Sequence, residues 1–106
     1  MNIEERARVF AALSDPTRLR IVEILASEDE LCGTQIAHRA GISIALLSHH
    51  WKILVDARVV NRERRGQRQY CRVEREVLEE AFSLVWPRSR LQSSIKDRAE
   101  HLTSTA

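Results

Sequence analysis

Residues 41–58 read Gly-Ile-Ser-Ile-Ala-Leu-Leu-Ser-His-His-Trp-Lys-Ile-Leu-Val-Asp-Ala-Arg. Leu47, His50, Trp51, Leu54 and Val55 fall on one face at helical spacing. Ile44, Ala45, Ser48, His49 and Lys52 fall on the other, with Leu46 near the boundary. Gly41 suits the left-handed end of the preceding helix, and Ser43 is a good N-cap for the next. The pattern predicts the turn and second helix of a helix-turn-helix.

Working downstream, Val59–Arg64 and Gln69–Val73 alternate in the manner of strands, with Arg65-Gly66-Gln67 between them as a hairpin turn. Between Arg58 and Arg72 the basic residues are Arg58, Arg62, Arg64, Arg65, Arg68 and Arg72, against the single acid Glu63. Lysine is scarce: of 17 basic residues in the chain, only Lys52 and Lys96 are lysines. The planar guanidinium can grip two phosphate oxygens at once, so an arginine hairpin beside a helix-turn-helix points to nucleic acid rather than to a merely solvated face.

Working upstream, Cys32-Gly33-Thr34-Gln35 opens a third helix, with Cys32 at the N-cap and Gln35 three residues on, and with Ile36 and Ala40 inward. Asp15 and Pro16 open a second helix running to about Ala26, with Leu19, Ile21, Val22 and Leu25 inward. Ile3, Ala7, Phe10, Ala11 and Leu13 form the stripe of a first helix. After Arg75 the helical period returns through Val77, Leu78, Ala81, Phe82, Val85 and Trp86 until Pro87 interrupts it. Leu91, Ile95 and Leu102 predict a further helix, with a frayed tail from His101. The expected order is α-α-(β)-α-α-β-β-α(-α): mainly α, with a small β-hairpin wing.

A chain of 106 residues with 43% hydrophobic and 30% charged residues is expected to form one globular domain, 1–106. No apolar run approaches a membrane span, and the acidic N-terminal residues do not read as a signal peptide, so a cytoplasmic location is expected. No phosphate-binding glycine loop, nucleophile elbow or paired catalytic carboxylate appears, and no enzymatic activity or cofactor is expected.

Ala12–Ile21, Glu30-Leu31-Cys32, Ser48–Leu54 and the Val59–Val73 hairpin, in this order, resemble the ArsR/SmtB family of bacterial repressors. The resemblance covers roughly residues 8 to 73. It implies a winged helix-turn-helix homodimer that represses its own operon and releases DNA when an effector binds. On that reading Ser43, Ile44, Ala45, Leu46, Ser48, His49 and Lys52 face the DNA. Ser48 and His49 can hydrogen-bond to bases, while Ile44, Ala45 and Leu46 can pack on thymine methyl groups. Relatives more often carry a polar residue where Leu46 stands, and for Leu46 core packing is the competing reading. Arg64, Arg65, Gln67 and Arg68 at the wing tip are assigned to phosphates or the minor groove. Thr34, Gln35 and Arg39, and Arg18 or Arg20, are candidate backbone clamps. Dimerisation helices are expected at about 1–14 and 75–100, with Ile3, Phe10, Leu78, Phe82, Val85 and Trp86 in the seam and an inverted-repeat operator as the partner.

The two cysteines, Cys32 and Cys71, are too few for a disulfide framework. The resemblance implies a metal-sensing Glu-Leu-Cys-x-Cys in some members. Here Glu30-Leu31-Cys32-Gly33-Thr34 keeps the first thiol and has Thr34 in place of the second. A second metal site of the family would fall at Arg75 and Val77, which cannot ligate, and His101 is left alone. No metal is expected. In the winged-helix fold that the resemblance implies, the short strand before helix three pairs with the last hairpin strand, which would bring Cys32 near Cys71. A thiol-reactive signal (oxidant, persulfide or arsenite) is then one reading, and a small cap and a small strand residue the other. A protein-interaction adaptor that has lost operator reading is the competing function, supported by the apolar Ile44-Ala45-Leu46 run.

Overall fold

The structure, a computed structural model, describes residues 1–87, 89 and 90. The expected helix beyond Leu91, the tail and His101 lie outside the described residues. The elements run α1 (Ile3–Leu13), α2 (Pro16–Ala26), β1 (Leu31–Cys32), α3 (Gly33–Ala40), α4 (Ile44–Asp56), β2 (Val60–Arg65), β3 (Arg68–Val73) and α5 (Arg75–Val85).

Local chemistry explains most of the boundaries. Asn2 and Glu5 close a capping box on α1, with Glu5 N–H donating to Asn2 Oδ1 at 2.8 Å. The Asp15 carboxylate accepts from Thr17 N–H (2.9 Å) and Arg18 N–H (3.1 Å) at the start of α2, where Pro16 has no N–H to orphan. Those amide bonds, with the Arg18 charge, hold the Asp15 carboxyl below the ordinary carboxylate range. Both helices of the helix-turn-helix end in Schellman motifs. After α3, Ile42 N–H reaches Ala37 O (3.0 Å) and Gly41 sits at φ 70°. After α4, Val59 N–H reaches Leu54 O (3.0 Å) and the left-handed residue is Arg58, at φ 64°. A left-handed conformation costs a residue bearing a Cβ about 1–2 kcal/mol, part of which glycine loses again through its freer unfolded chain. Arg58→Gly is therefore expected to raise unfolding free energy by ~0.5–1 kcal/mol, read as a Tm a few degrees higher in a thermal melt.

The three strands form one antiparallel sheet in the order β1-β3-β2. Arg65 pairs with Arg68, so the turn is Gly66-Gln67 alone and Arg65 is the last residue of β2. Gly66, at φ 63°, takes the first loop position, where a two-residue hairpin most needs a residue without a Cβ.

The core is built from Val9, Ala12, Ile21, Val22, Leu25, Ile36, Leu47, Trp51, Leu54, Val59 and Val60, with Leu31, Cys71 and Ala81 closing it. Two expected stripes are corrected. Leu19 is exposed, and Ile24 packs on the core from α2 instead. On α1 the inward residues are Val9 and Ala12, while Ile3, Ala7 and Ala11 face away from the core. Both faces of α1 carry small or apolar side chains, so periodicity alone could not say which one meets the core.

Candidate nucleic-acid interface

The helix-turn-helix presents α4 outward by its first turn. Ile44 is 52% exposed and Leu46 41%, with Ala45 exposed between them. Leu46 is thus on the surface and not in the core. The Ser43 hydroxyl oxygen accepts from Leu46 N–H at 3.1 Å, which commits it to the cap. Ser48, His49 and Lys52 follow on the same exposed face one and two turns later. Leu47, His50, Trp51 and Leu54 are buried and fix the helix to the body.

His50 is held by a small polar cluster. The Arg18 guanidinium approaches His50 Nδ1 (3.3 Å) and donates from Nε to Ala12 O (2.7 Å), and Asp15 Oδ2 lies 3.9 Å from His50 Nδ1. Arg18 therefore ties the end of α1, the start of α2 and α4 together. Its guanidinium is engaged inside the domain, unlike that of a phosphate clamp. On α3, Thr34 and Gln35 are exposed, but both are drawn into the helix cap. Cys32 N–H donates to Gln35 Oε1 (3.0 Å), and Thr34 Oγ1 lies 3.2 Å from Cys32 Sγ. Arg39 pairs with Glu28 at 2.7 Å.

The hairpin register fixes which side chains share a face, because residues paired across strands lie on the same side, while their acidic partners decide which cations are engaged. The register places Arg62 opposite Cys71 and Arg64 opposite Gln69 on one face, and Glu63 opposite Tyr70 and Arg65 opposite Arg68 on the other. Arg65 is occupied. It donates to Glu30 through two nitrogens (2.6 and 3.0 Å) and to Glu63 (3.0 Å), and its Cζ sits 4.9 Å from the Tyr70 ring centroid. The Arg64 Nε donates to Gly66 O at 3.3 Å. Arg62 and Arg68 make no salt bridge among the described residues, and both line the cleft between hairpin and α4 with Gln67 and Gln69. That cleft measures about 630 Å³, with Ile44, Ser48 and Trp51 on its helix side. Sequence reasoning counts Arg62 in the basic hairpin but assigns neither it nor Gln69 to a contact. Counting back by two from buried Cys71 would put Gln69 on its face, and pairing across the Gly66-Gln67 turn would add Arg62.

Cys71 is buried, and burial pushes its thiol up to about 11. Cys32 is half-buried, and its thiol is held below the ordinary value first by the Thr34 hydroxyl and then by the Gln35 backbone N–H. The strands do pair as expected, but Cys32 stands opposite Tyr70, and Leu31 opposite Cys71. The two cysteines are therefore diagonal neighbours on opposite sides of the pleat.

The residues expected in a dimer seam gather at one end of the domain. Phe10 and Phe82 meet edge to face at 5.6 Å, joining α1 to α5. Phe10 and Leu78 are half-buried against the core. Ile3, Phe82, Leu84, Val85 and Trp86 remain exposed beside them.

A helix-turn-helix with its second helix exposed and a cationic antiparallel hairpin alongside defines a winged helix-turn-helix protein. The family model "Bacterial regulatory protein, arsR family" matches residues 15–62. The chain is 39% identical over 75 residues to the transcriptional repressor SdpR of Bacillus subtilis, covering 71% of this chain and 82% of that one. It is 33% identical over 79 residues to the arsenical resistance operon repressor of Staphylococcus xylosus, covering 74% and 75%. Its fold matches, at TM-score 0.69 and 30% identity, the solution structure of a homodimeric winged helix-turn-helix DNA-binding domain from Mycobacterium bovis, a possible ArsR-family regulator, over 93% of this chain and 85% of that one. The chain belongs to the ArsR family of bacterial transcription regulators.

Proposed function

We propose that this chain is a homodimeric repressor that binds an inverted-repeat operator in the cytoplasm and is released by an effector. The observation that carries the reading is the exposed face of α4, Ile44 to Lys52, set across one cleft from Arg62 and Arg68, which make no salt bridge among the described residues. A helix of this kind enters the major groove while the hairpin follows the adjacent backbone. Arg62, Gln67, Arg68 and Gln69 take the phosphates, Ser48, His49 and Lys52 follow α4 along the groove, and Arg64 sits at the wing tip. Two-fold pairing through α1 and α5, with Ile3, Phe82, Val85 and Trp86 in the seam, sets two α4 helices on successive major grooves. The test is gel shift on the gene's own upstream region at two salt concentrations. Affinity should fall steeply with salt and prefer the inverted repeat over random duplex. Salt-insensitive or absent binding would favour the adaptor reading.

For the effector, a thiol-reactive signal at Cys32 is the best-supported choice. Cys32 caps α3, and α3 packs on α4, so a substituent on its sulfur crowds the Thr34 and Gln35 contacts at the base of the helix-turn-helix. Cys71 takes no direct part, being buried and on the opposite side of the pleat. In the native protein iodoacetamide is expected to alkylate Cys32 at neutral pH and to leave Cys71 untouched until the chain is unfolded, with mass spectrometry of the digested protein as the readout. The Cys32 rate should reach its half-maximum below the pH of an ordinary thiol, because the thiolate is the nucleophile. Equal labelling of both cysteines would remove the assignment.

A further inference from the structure

We infer that the tip of α4 reads the C5-methyl groups of pyrimidines: Ile44 and Leu46, with Ala45 between them, select thymine, or 5-methylcytosine, over cytosine. The inference rests on the DNA-binding reading above and adds a chemical code to it.

The first turn of a helix in the major groove reaches base edges. On this chain that turn carries two large apolar side chains, about half exposed, with exposed Ala45 between them, and the face turns polar only from Ser48. They lie on α4, whereas the apolar seam expected to pair two copies is built from α1 and α5. Dimerisation therefore does not account for them. The hydroxyl oxygen of Ser43, the nearest polar side chain, is taken by Leu46 N–H. Within α4 itself, directed hydrogen bonding by side chains begins at Ser48 and His49.

The major groove offers one apolar feature, the methyl group at C5 of thymine. Purine edges there present only donors and acceptors, and the cytosine edge adds a bare C5–H to its amino donor. Seating Ile or Leu against a purine edge strips its water and returns no hydrogen bond. The apolar tip thus rewards a methyl, simply loses that contact at the C5–H of cytosine or uracil, and is penalised at a polar purine edge. Cytosine methylated at C5 carries the same group at the same place and regains the contact. One buried methyl is worth about fourfold in affinity.

The experiment starts from a duplex selected by the purified protein out of a randomised pool. Thymines in each half-site are replaced one at a time by uracil, which removes the methyl and keeps the pairing edge. Affinity is expected to fall about fourfold at two or more positions per half-site. In Leu46→Ala the uracil penalty should vanish at one of these positions, and in Ile44→Ala at another, while Ser48→Ala keeps both. Putting cytosine at those positions and then 5-methylcytosine should lose and regain affinity. Both apolar side chains are exposed, so the alanine variants keep the packing of α4 and can be compared at equal folded fraction. Equal binding of uracil and thymine at every position would overturn the inference. A uracil penalty that persists unchanged in both alanine variants would also overturn it, since it would then come from duplex shape. Failure to retain any duplex would sink the DNA-binding reading and the methyl code together, and is distinguished from the first result by the absence of binding itself.

Discussion

Val85→Asp is expected to run as a monomer in sedimentation and to bind the inverted repeat about a hundredfold more weakly than the parent chain. Val85 is 58% exposed in the single chain, so the substitution removes no core packing. In a two-fold seam each change appears twice, and each buries a carboxylate against the apolar cluster of Phe82, Trp86 and Ile3. Phe82→Asp should act the same way and also break the edge-to-face packing on Phe10, so it should unfold at lower temperature as well. The weaker binding comes from avidity. Once the halves separate, the second helix no longer finds its half-site at high effective concentration. Retention of the dimer by both variants would place the seam elsewhere.

The second large effect concerns the hairpin. Arg62→Ala with Arg68→Ala should weaken operator binding about thirtyfold per half-site at 0.15 M salt, with the salt slope falling by about 0.9 for each phosphate that is no longer neutralised. Arg65→Ala should cost far less, because Glu30 and Glu63 already hold that guanidinium against Tyr70. Removing it loosens the link between the hairpin and the loop before β1 instead. A gel-shift salt titration of the variants checks this. An Arg65→Ala effect equal to that of the double variant would show that Arg65 leaves its carboxylates for phosphate on binding.

Six arginines in fifteen positions are visible in the string, but their division into engaged and available is not. It depends on which carboxylates the packed chain brings within reach: Arg65 and Arg68 share a face, yet only Arg65 meets Glu30 and Glu63. Reading Arg65-Gly66-Gln67 as the turn leaves Arg65 at the tip. The actual Gly66-Gln67 turn puts it in the ladder, within reach of Glu30 from a distant part of the chain. The same holds for the cysteines: strand pairing is foreseeable, but which residue faces which is not, and the register sets Cys32 opposite Tyr70.

The linear order of caps, periods and breakers was enough to determine the helices from α1 to α5 and the hairpin, because each of these is settled by contacts within a few residues. Asp15, Gly41 and Ser43 act on their own turns, and a helical period needs no distant partner to be read. Only the packed chain decided that Leu46 is exposed, that Arg18 is spent on Ala12 and His50, and that Ile3 and Leu19 turn away from the core. Those outcomes follow from how whole elements seat against one another. The free energy that chooses between two similar faces of a helix comes from the area covered by its neighbours, which no local pattern contains.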